Sequence, residues 1–392
     1  MKFSIPTNWQ SDLLSHFKNT EVKELYGKLA SDFIGGGKHS FQVPFVFKKQ
    51  AEKHIKDIHV AGLEFNYLLN ATCLNNLEWT IRGQRKIRAI LDWLMDLKVE
   101  GVTVAIPYLV KFIKKNYPKI RVYLSTLSGT DMYARVKYWH DLGVDRITLL
   151  NVDINRNFPL LRRITREISC EFNLVANVNC LYHCPFYLYH GLQASHSSQS
   201  GHRMRGFVID YCRISCRYRQ IANVREFIRS SWIRPEDVKI YEDIGIDYLK
   251  IIDRGMTTFW ISRITGAYLN RRYDGNLMDL FPDPSKTMVF NGLNLWHKFK
   301  YFFHPGFVDV FKLIKMRKLL IEPNIFIDNR ALDGFISFFL DHDCEATTCE
   351  ECGYCGRVAG QVVKIDVIER KEVMERYEKC LSGIISGELF RC

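Results

Sequence analysis

The chain has 392 residues, of which 47% are hydrophobic and 25% charged. These are the proportions of a globular protein, with room for one large domain and an appendage or for two domains. The net charge of +12 points either to an anionic partner such as RNA, a nucleotide or an acidic metabolite, or to a solvated basic surface. No apolar run approaches the roughly 18 residues of a membrane span. The opening Met1-Lys-Phe-Ser-Ile-Pro lacks the apolar stretch of a signal peptide, so the expected compartment is the cytoplasm.

Residues 1–59 read as a segment of their own. An amphipathic helix is expected over 9–30, followed by Phe33-Ile-Gly-Gly-Gly-Lys-His-Ser. Three consecutive glycines either let the backbone approach a ligand or form a flexible surface loop. From 60 to 275, short apolar runs alternate with amphipathic ones. Strands are predicted at 61–69, 102–106, 121–125, 146–150, 172–177 and 247–252, and helices at 80–98, 107–116, 130–142, 156–168 and 235–244. Alternation at this spacing implies a parallel sheet. The number of units suits an α/β fold built on a (β/α) barrel, complete or partial. A doubly wound sheet is the alternative, but its Gly-rich phosphate turn is missing. From 276 to 392 the character changes to a small Cys-rich C-terminal appendage. Pro282 and Pro284 mark a break, aromatic and basic residues crowd 295–317, and helices are expected at 330–341 and 366–382. No internal repeat of solenoid period is present.

Two C-x3-C pairs, Cys180/Cys184 and Cys212/Cys216, carry the strongest chemical signal in the barrel region. Cytosolic cysteines stay reduced, and four soft thiolates favour iron–sulfur or zinc. Structural zinc more often uses C-x2-C. Unrelated buried cysteines are the bland reading. Radical cleavage of S-adenosylmethionine would need C-x3-C-x2-C, and Tyr187 stands at the third position. Cys180 follows the predicted strand 172–177 and Cys212 follows the apolar run 206–211, so both pairs are expected at the C-terminal face, where barrel enzymes build their sites. Residues 190–205, rich in Ser, His, Gln and Gly, read as a mobile loop over that site. Arg203, Arg205, Arg213, Arg217, Arg219, Arg225 and Arg229 face only Asp210 and Glu226 in this stretch. They would favour thiolates, hold a substrate carboxylate or phosphate, or simply cover a solvated helix face.

A second group, Cys344-x4-Cys349-x2-Cys352-x2-Cys355, combines the spacings of plant-type and bacterial ferredoxins. Iron–sulfur is the first expectation and zinc the second, with Cys380 or Cys392 as substitute ligands. A cluster here would relay electrons to the first; a zinc ion would staple a segment without a core.

Polar residues at presumed strand ends complete the candidate set: Glu64, Asn66, Asn70, Asn151, Asp153, Asn177, Asn179, Lys250, Asp253 and Arg254. Each alone is ordinarily a cap or turn residue. Glu64 interrupts an apolar run and reads as a general base or a rim carboxylate. The expected catalytic residues are Glu64, Asp253 and Arg254. Asn66, Asn70, Asn177, Asn179, Arg213, Arg217 and Lys250 are expected to bind substrate. His183 and His190 read as hydrogen-bonding groups. Tyr182, Phe186, Tyr187 and Tyr189 either stack on a base or fill the core. Neither Gly-x-Ser-x-Gly nor His-Glu-x-x-His occurs, so peptidase chemistry has no sequence signature of its own.

Tyr211-Cys-Arg-Ile-Ser-Cys-Arg, Ser231-Trp-Ile-Arg-Pro-Glu-Asp-Val and Gly245-Ile-Asp-Tyr-Leu-Lys-Ile-Ile-Asp-Arg are similar to elements of the peptidase U-32 family, the collagenase-like proteases. The resemblance covers about 60–275. It implies a barrel-like fold with a 4Fe–4S cluster on Cys180, Cys184, Cys212 and Cys216. It further implies hydroxylation without dioxygen of an RNA base or a quinone precursor, some relatives using prephenate as oxygen source. Asp253-Arg254 stands where the family has Glu-Gly-Arg, and the Cys180/Cys184 spacing is narrower than the family's. The C-terminal cysteines lie outside the common core. The expected partners are therefore an anionic or aromatic small molecule or RNA, and an electron-donor protein. A peptidase and an RNA-binding protein with structural metals are the rival readings.

Overall fold

The computed structural model describes residues 1–283, 289, 295, 296, 299, 300 and 302–391. Pro284, part of the 295–317 stretch and Cys392 lie outside the described residues.

Eight parallel strands close into a barrel in chain order. They are β1 (Lys2–Pro6), β2 (Val22–Gly27), β3 (Glu64–Leu69), β4 (Gly101–Val104), β5 (Arg121–Leu124), β6 (Arg146–Thr148), β7 (Glu171–Val175) and β8 (Tyr248–Lys250). Closure runs through β1, which pairs Ser4 with Glu24 on one side and with Lys250 on the other. All six predicted strands are present. The expected helix at 9–30 is not. Residues 11–16 form a 3-10 turn, and 22–27 are a strand whose Glu24 and Tyr26 are buried. The barrel therefore starts at residue 2, and the stretch 1–59 is part of it rather than a separate segment.

Helices α1 (Lys48–Val60), α2 (Ile81–Asp96), α3 (Pro107–Asn116), α4 (Tyr133–Asp141) and α5 (Phe158–Glu167) cover the outside. Their starts are legible chemically. The Thr80 hydroxyl accepts from the Gly83 amide, Pro107 opens α3, and Asn157 caps α5 through the Leu160 amide. Each such cap is worth about 1 kcal/mol. Their apolar faces, such as Ile87, Leu91 and Leu94 of α2, pack on the strands.

After β7 the chain makes α6 (Tyr187–Ser197), α7 (Tyr211–Ala222), α8 (Arg225–Arg229) and α9 (Val238–Asp243), and after β8 it makes α10 (Thr258–Leu269). The stretch expected to be a mobile loop, 190–205, is half helix. Ser195, Ser197 and Ser198 are buried and hydrogen-bond back to helical carbonyls.

The C-terminal region contributes α11 (Val310–Arg317), β9 (Ile325–Ile327), α12 (Ser337–Asp341), α13 (Cys349–Cys352), α14 (Tyr354–Val362), β10 (Val363–Ile365) and α15 (Val367–Ile385). β9 and β10 pair antiparallel. This region does not stand apart. Phe335, Phe339, Ala359 and Val362 join the main core. A second core gathers Ile214 and Ile221 of α7 with Leu313, Val373, Tyr377 and Cys380. Arg370 donates to the carbonyls of Ile221 (2.8 Å) and Ala222 (2.6 Å), closing the end of α7. Cys380 is committed to that second core and is no substitute ligand for the C-terminal group. Among the described residues no helix is long and apolar enough to cross a membrane.

Candidate functional site

Parallel strands all deliver their C-terminal ends to one face. Here that face receives Lys28 and Asp32 after β2, Asn70 after β3, Ser125 after β5, Asn177 to Cys184 after β7, and Asp253 and Arg254 after β8. The four cysteines of the first group meet at this face. Cys212, Cys216 and Gln220 fall one turn apart on α7 and share a side of the helix. Gln220 Nε2 donates to the Asn179 carbonyl (3.2 Å) and to its side-chain oxygen (2.9 Å), which draws that side of α7 onto the Cys180–Cys184 loop. Burial pushes the Cys180 and Cys212 thiols up to about 12, with further upward contributions from Cys184. Burial also raises the Cys216 thiol, and charges on Cys180 and Cys184 raise it again. Thiols that oppose one another's ionisation in this way are close neighbours.

Tetrahedral zinc, with Zn–S near 2.3 Å, sets its sulfurs about 3.8 Å apart. Among the described residues no three cysteine sulfurs lie mutually within 4.8 Å. Four buried thiols that converge here and are hard to ionise alone fit a thiolate-binding metal centre.

Beside the cysteines lies a densely charged pocket mouth. Lys38 pairs with Asp253, and Lys28 pairs with Asp32 at 2.9 Å. Tyr67 donates to Asp32 at 3.0 Å. Arg254 is buried, and its Nη1 has no hydrogen-bond partner. Burial lowers the Lys38 amine far below its usual range; Arg254 and Arg213 lower it further and Asp210 opposes them. Burial likewise brings Lys250 down to about 7, Glu24 opposing and Arg254 and Arg146 assisting. The buried Arg254 guanidinium with its orphaned N–H, beside amines that burial makes costly to charge, is a receptor for an anion.

Asp210 caps α7 through the Arg213 amide and lies 3.5 Å from His39 Nε2 and 3.3 Å from His190 Nε2. Burial raises its carboxyl, but hydrogen bonds from His190 and His39 outweigh this and hold it well below the usual range. The ligating atoms of His39, His190 and Asp210 lie within 4.8 Å of one another.

The three glycines are neither a surface loop nor a ligand cradle. The Gly36 amide donates to Ser198 Oγ (2.8 Å) and the Gly37 amide to Asn70 Oδ1 (3.1 Å). A Cβ on Gly37 would come within 2.5 Å of Leu127. The turn packs between β3 and α6 and so delivers Lys38 and His39 to the mouth.

A cavity of about 530 Å³ opens beside the mouth and shares Asp32 and Tyr67 with it. Lys48, Arg82, Lys86, Phe33 and Trp93 line it further.

Several expected site residues lie elsewhere or are spent on structural hydrogen bonds. Glu64 opens β3 at the opposite end of the barrel, so it cannot act with the cysteines. Asn66 lies inside the barrel, donating to Glu24 (3.3 Å) and accepting from Thr103 (2.9 Å). Asn177 is spent on main-chain groups of Ile252 and Leu280 and fixes the turn before Asp253. Asn179 is spent on Gln220. Arg217 pairs with Glu322, joining α7 to the C-terminal region instead of facing the mouth. Asn70, Arg213, Lys250, Asp253 and Arg254 do lie at the mouth. Lys28, Asp32, Lys38, His39 and Asp210 are additional members. Lys28, Asp32, Lys38 and His39 come from the segment read as a separate N-terminal piece, which barrel closure through β1 and β2 brings in, and Asp210 from the stretch read only as acids facing the arginines.

The second cysteine group also converges. Cys344, Cys349, Cys352 and Cys355 line one cavity with Arg225, Arg229, Phe338 and Tyr354. Burial, then the charge of Cys355 and Cys349, raises the Cys344 thiol to about 11.

Comparison with known proteins matches this architecture. The model of peptidase family U32 matches residues 33–272. The chain belongs to peptidase family U32. An uncharacterized protease of Methanocaldococcus jannaschii is 28% identical over 85% of this chain and 87% of its own length. The tRNA hydroxylation protein P1 of Bacillus subtilis is 23% identical over 66% of this chain and 62% of its own. Among solved structures, that of the U32 peptidase Mk0906 superposes with a TM-score of 0.50 at 20% identity, covering 64% of this chain and 93% of that one. The U32 match stops short of the second cysteine group.

Proposed function

We propose that this U32 protein is an iron–sulfur enzyme that hydroxylates an RNA base, or a small aromatic or anionic substrate, taking the hydroxyl group from an organic donor, which leaves with the substrate's hydrogen, rather than from dioxygen. The observation that carries the reading is the meeting of Cys180, Cys184, Cys212 and Cys216 with a buried cationic pocket at the catalytic face of the barrel. Bound there, an iron–sulfur cluster supplies one-electron chemistry next to the substrate. Arg254, with a free buried N–H, and the Lys38 and Lys250 amines neutralise a substrate carboxylate or phosphate. Asp253 positions Lys38. The adjoining cavity, with Trp93 and Phe33 between Lys48, Arg82 and Lys86, offers an aromatic ring a wall and an anion a rim. The names of the Bacillus subtilis relative and of the tRNA hydroxylation protein P of Haemophilus influenzae support the same class of reaction.

The test is a pair of measurements on anaerobically prepared protein. Iron and sulfide are assayed, and nucleosides of host RNA are analysed by mass spectrometry with and without the gene. The expected result is bound iron whose content falls in Cys180→Ala/Cys184→Ala, and a nucleoside or small aromatic product that gains one oxygen atom only with intact cysteines. Cleavage of a peptide by iron-free protein, without oxygen transfer, would establish a peptidase instead.

A further inference from the structure

The C-terminal cysteines lie beside an unusual set of cations. Arg156 follows β6 and is buried among aromatic rings, with its guanidinium 4.3 Å from Trp232 and 4.9 Å from Phe335. Its Nη1 donates to the Ile228 carbonyl at 2.6 Å. Its Nε and Nη2 are buried and have no partner, and Arg229 Nε is equally orphaned. Arg156, Arg229, Cys344, Cys349 and Cys355 line one small cavity, and the adjoining one adds Cys352. A buried N–H without an acceptor costs about 1–3 kcal/mol. These three flank a hollow that Asp153, Asp343 and Glu345 also line, and Arg229 Nη1 already donates to Glu226 at 2.8 Å. The hollow thus offers an acceptor three N–H donors among mixed charges.

The backbone is arranged to the same end. Thr348 and Glu351 form a capping box that starts α13 at Cys349. Gly353, with φ of 62°, turns the chain directly into α14. Cys352 and Cys355 therefore return to the hollow from two successive short helices. Phe338 stacks on Tyr354 at 3.8 Å and closes the outer wall.

This hollow adjoins the first cysteine site. Tyr182, midway between Cys180 and Cys184, lines it together with Cys344, Cys349 and Cys355. His183 bridges Asp153 and Glu345, both at 3.0 Å, and Glu345 follows Cys344.

We infer that Cys344, Cys349, Cys352 and Cys355 hold a second iron–sulfur cluster, that Arg156 and Arg229 donate to it, and that it passes electrons to the first site across Tyr182. The three orphaned donors supply hydrogen bonds to the thiolates and sulfides of such a cluster. The transfer is a single electron. A one-electron carrier protein of iron–sulfur or flavin type reduces the second cluster, which is reoxidised as the first is reduced, with no bond made or broken. The relay rests on the reading of the first site given above; the second cluster does not.

The test uses the full chain prepared without oxygen. Expected iron is about eight per chain, the content of two four-iron clusters, falling to about four in either Cys180→Ala/Cys184→Ala or Cys349→Ala/Cys352→Ala. The EPR spectrum of the reduced protein should show interacting spins that become a simple signal in each variant. Arg156→Met, which leaves all eight cysteines in place, should retain iron and lower the reduction potential of the second cluster only. Stoichiometric zinc at the second site, or iron unchanged in Cys349→Ala/Cys352→Ala, would overturn the second cluster without touching the first. Two clusters with non-interacting spins would overturn the relay. Iron absent from the first site alone would overturn the proposed function and leave the second cluster standing.

Discussion

Gln220 Nε2 donates to both oxygens of Asn179, at 3.2 and 2.9 Å, and this pair is the clasp that sets α7 against the loop of Cys180. Gln220 is buried and Asn179 half-buried, so removing the donor leaves the Asn179 acceptors partly unsatisfied. Gln220→Leu is expected to cost about 1–3 kcal/mol of stability. It should also loosen the first cysteine site specifically. The measurement is iron release to a chelator at a temperature where the fold is intact. Release should be faster than in wild type, while a stability-matched substitution in α2 should leave it unchanged. Equal rates for the two variants would show that the clasp does not shape the site.

Inside the barrel, Arg146 Nη1 pairs with Glu24 at 2.8 Å, and Ser4 adds a 2.6 Å hydrogen bond to the same carboxylate. Both side chains are 1% exposed. The guanidinium lies 3.5 Å from the Tyr248 ring and 4.2 Å from that of Tyr123. Breaking a buried pair strands the remaining charge, at a cost of about 3–5 kcal/mol. Arg146→Met should therefore destabilise by that amount in urea denaturation. Glu24→Gln/Arg146→Met together should recover most of the loss. A double variant as unstable as the single one would mean that Arg146 acts through its ring contacts.

This polar interior explains what the sequence concealed. Strands β3 to β8 are legible because each lies as an apolar run between helices with clear caps. β1 and β2 carry Ser4, Glu24 and Tyr26 into the barrel, so Val22-Lys-Glu-Leu-Tyr-Gly mimics a helical amphipathic pattern. Glu64 stands out in the apolar run predicted at 61–69, but the strand starts three residues later, and Glu64 falls at the start of β3. The cysteine pairs were visible from spacing alone. Their neighbours Lys38, His39 and Asp32 were not, because nothing local shows that residues 28–39 return to the mouth. Helix α6 was hidden for a related reason: its buried face is made of serines rather than apolar residues.

His54, on α1, is 5% exposed and shares a 2.8 Å hydrogen bond with Thr7. Burial depresses it from 6.5 to about 4, with Asp57 opposing. Below pH 6.5 the unfolded chain takes up a proton that the folded chain refuses, so stability present above that pH is lost as pH falls towards 4. At 1.36 kcal/mol per pH unit the loss reaches about 3 kcal/mol. Urea midpoints measured from pH 7 to pH 4 should fall in wild type and fall less steeply in His54→Gln. Parallel curves would assign the acid sensitivity to other groups.

Lys250 supplies the pH dependence of the mouth. Its ammonium lies 3.7 Å from the Tyr26 ring at the end of β8. Burial holds it down at about 7, with Glu24 opposing and Arg254 and Arg146 adding to the effect. A lysine is cationic below its pKa, so an anion that needs this charge binds well at pH 6 and poorly at pH 8. With a midpoint near 7, the charged fraction falls about tenfold across that interval. Sulfate, which does not titrate in this range, is a suitable probe. Its affinity, read by calorimetry or by protection against thermal unfolding, should drop by about tenfold from pH 6 to pH 8. In Lys250→Met it should be weak and flat with pH, while Arg254→Met should be weak yet still pH-dependent. A wild-type profile that stays flat would remove Lys250 from the anion site and leave Arg254 and Lys38 as its cations.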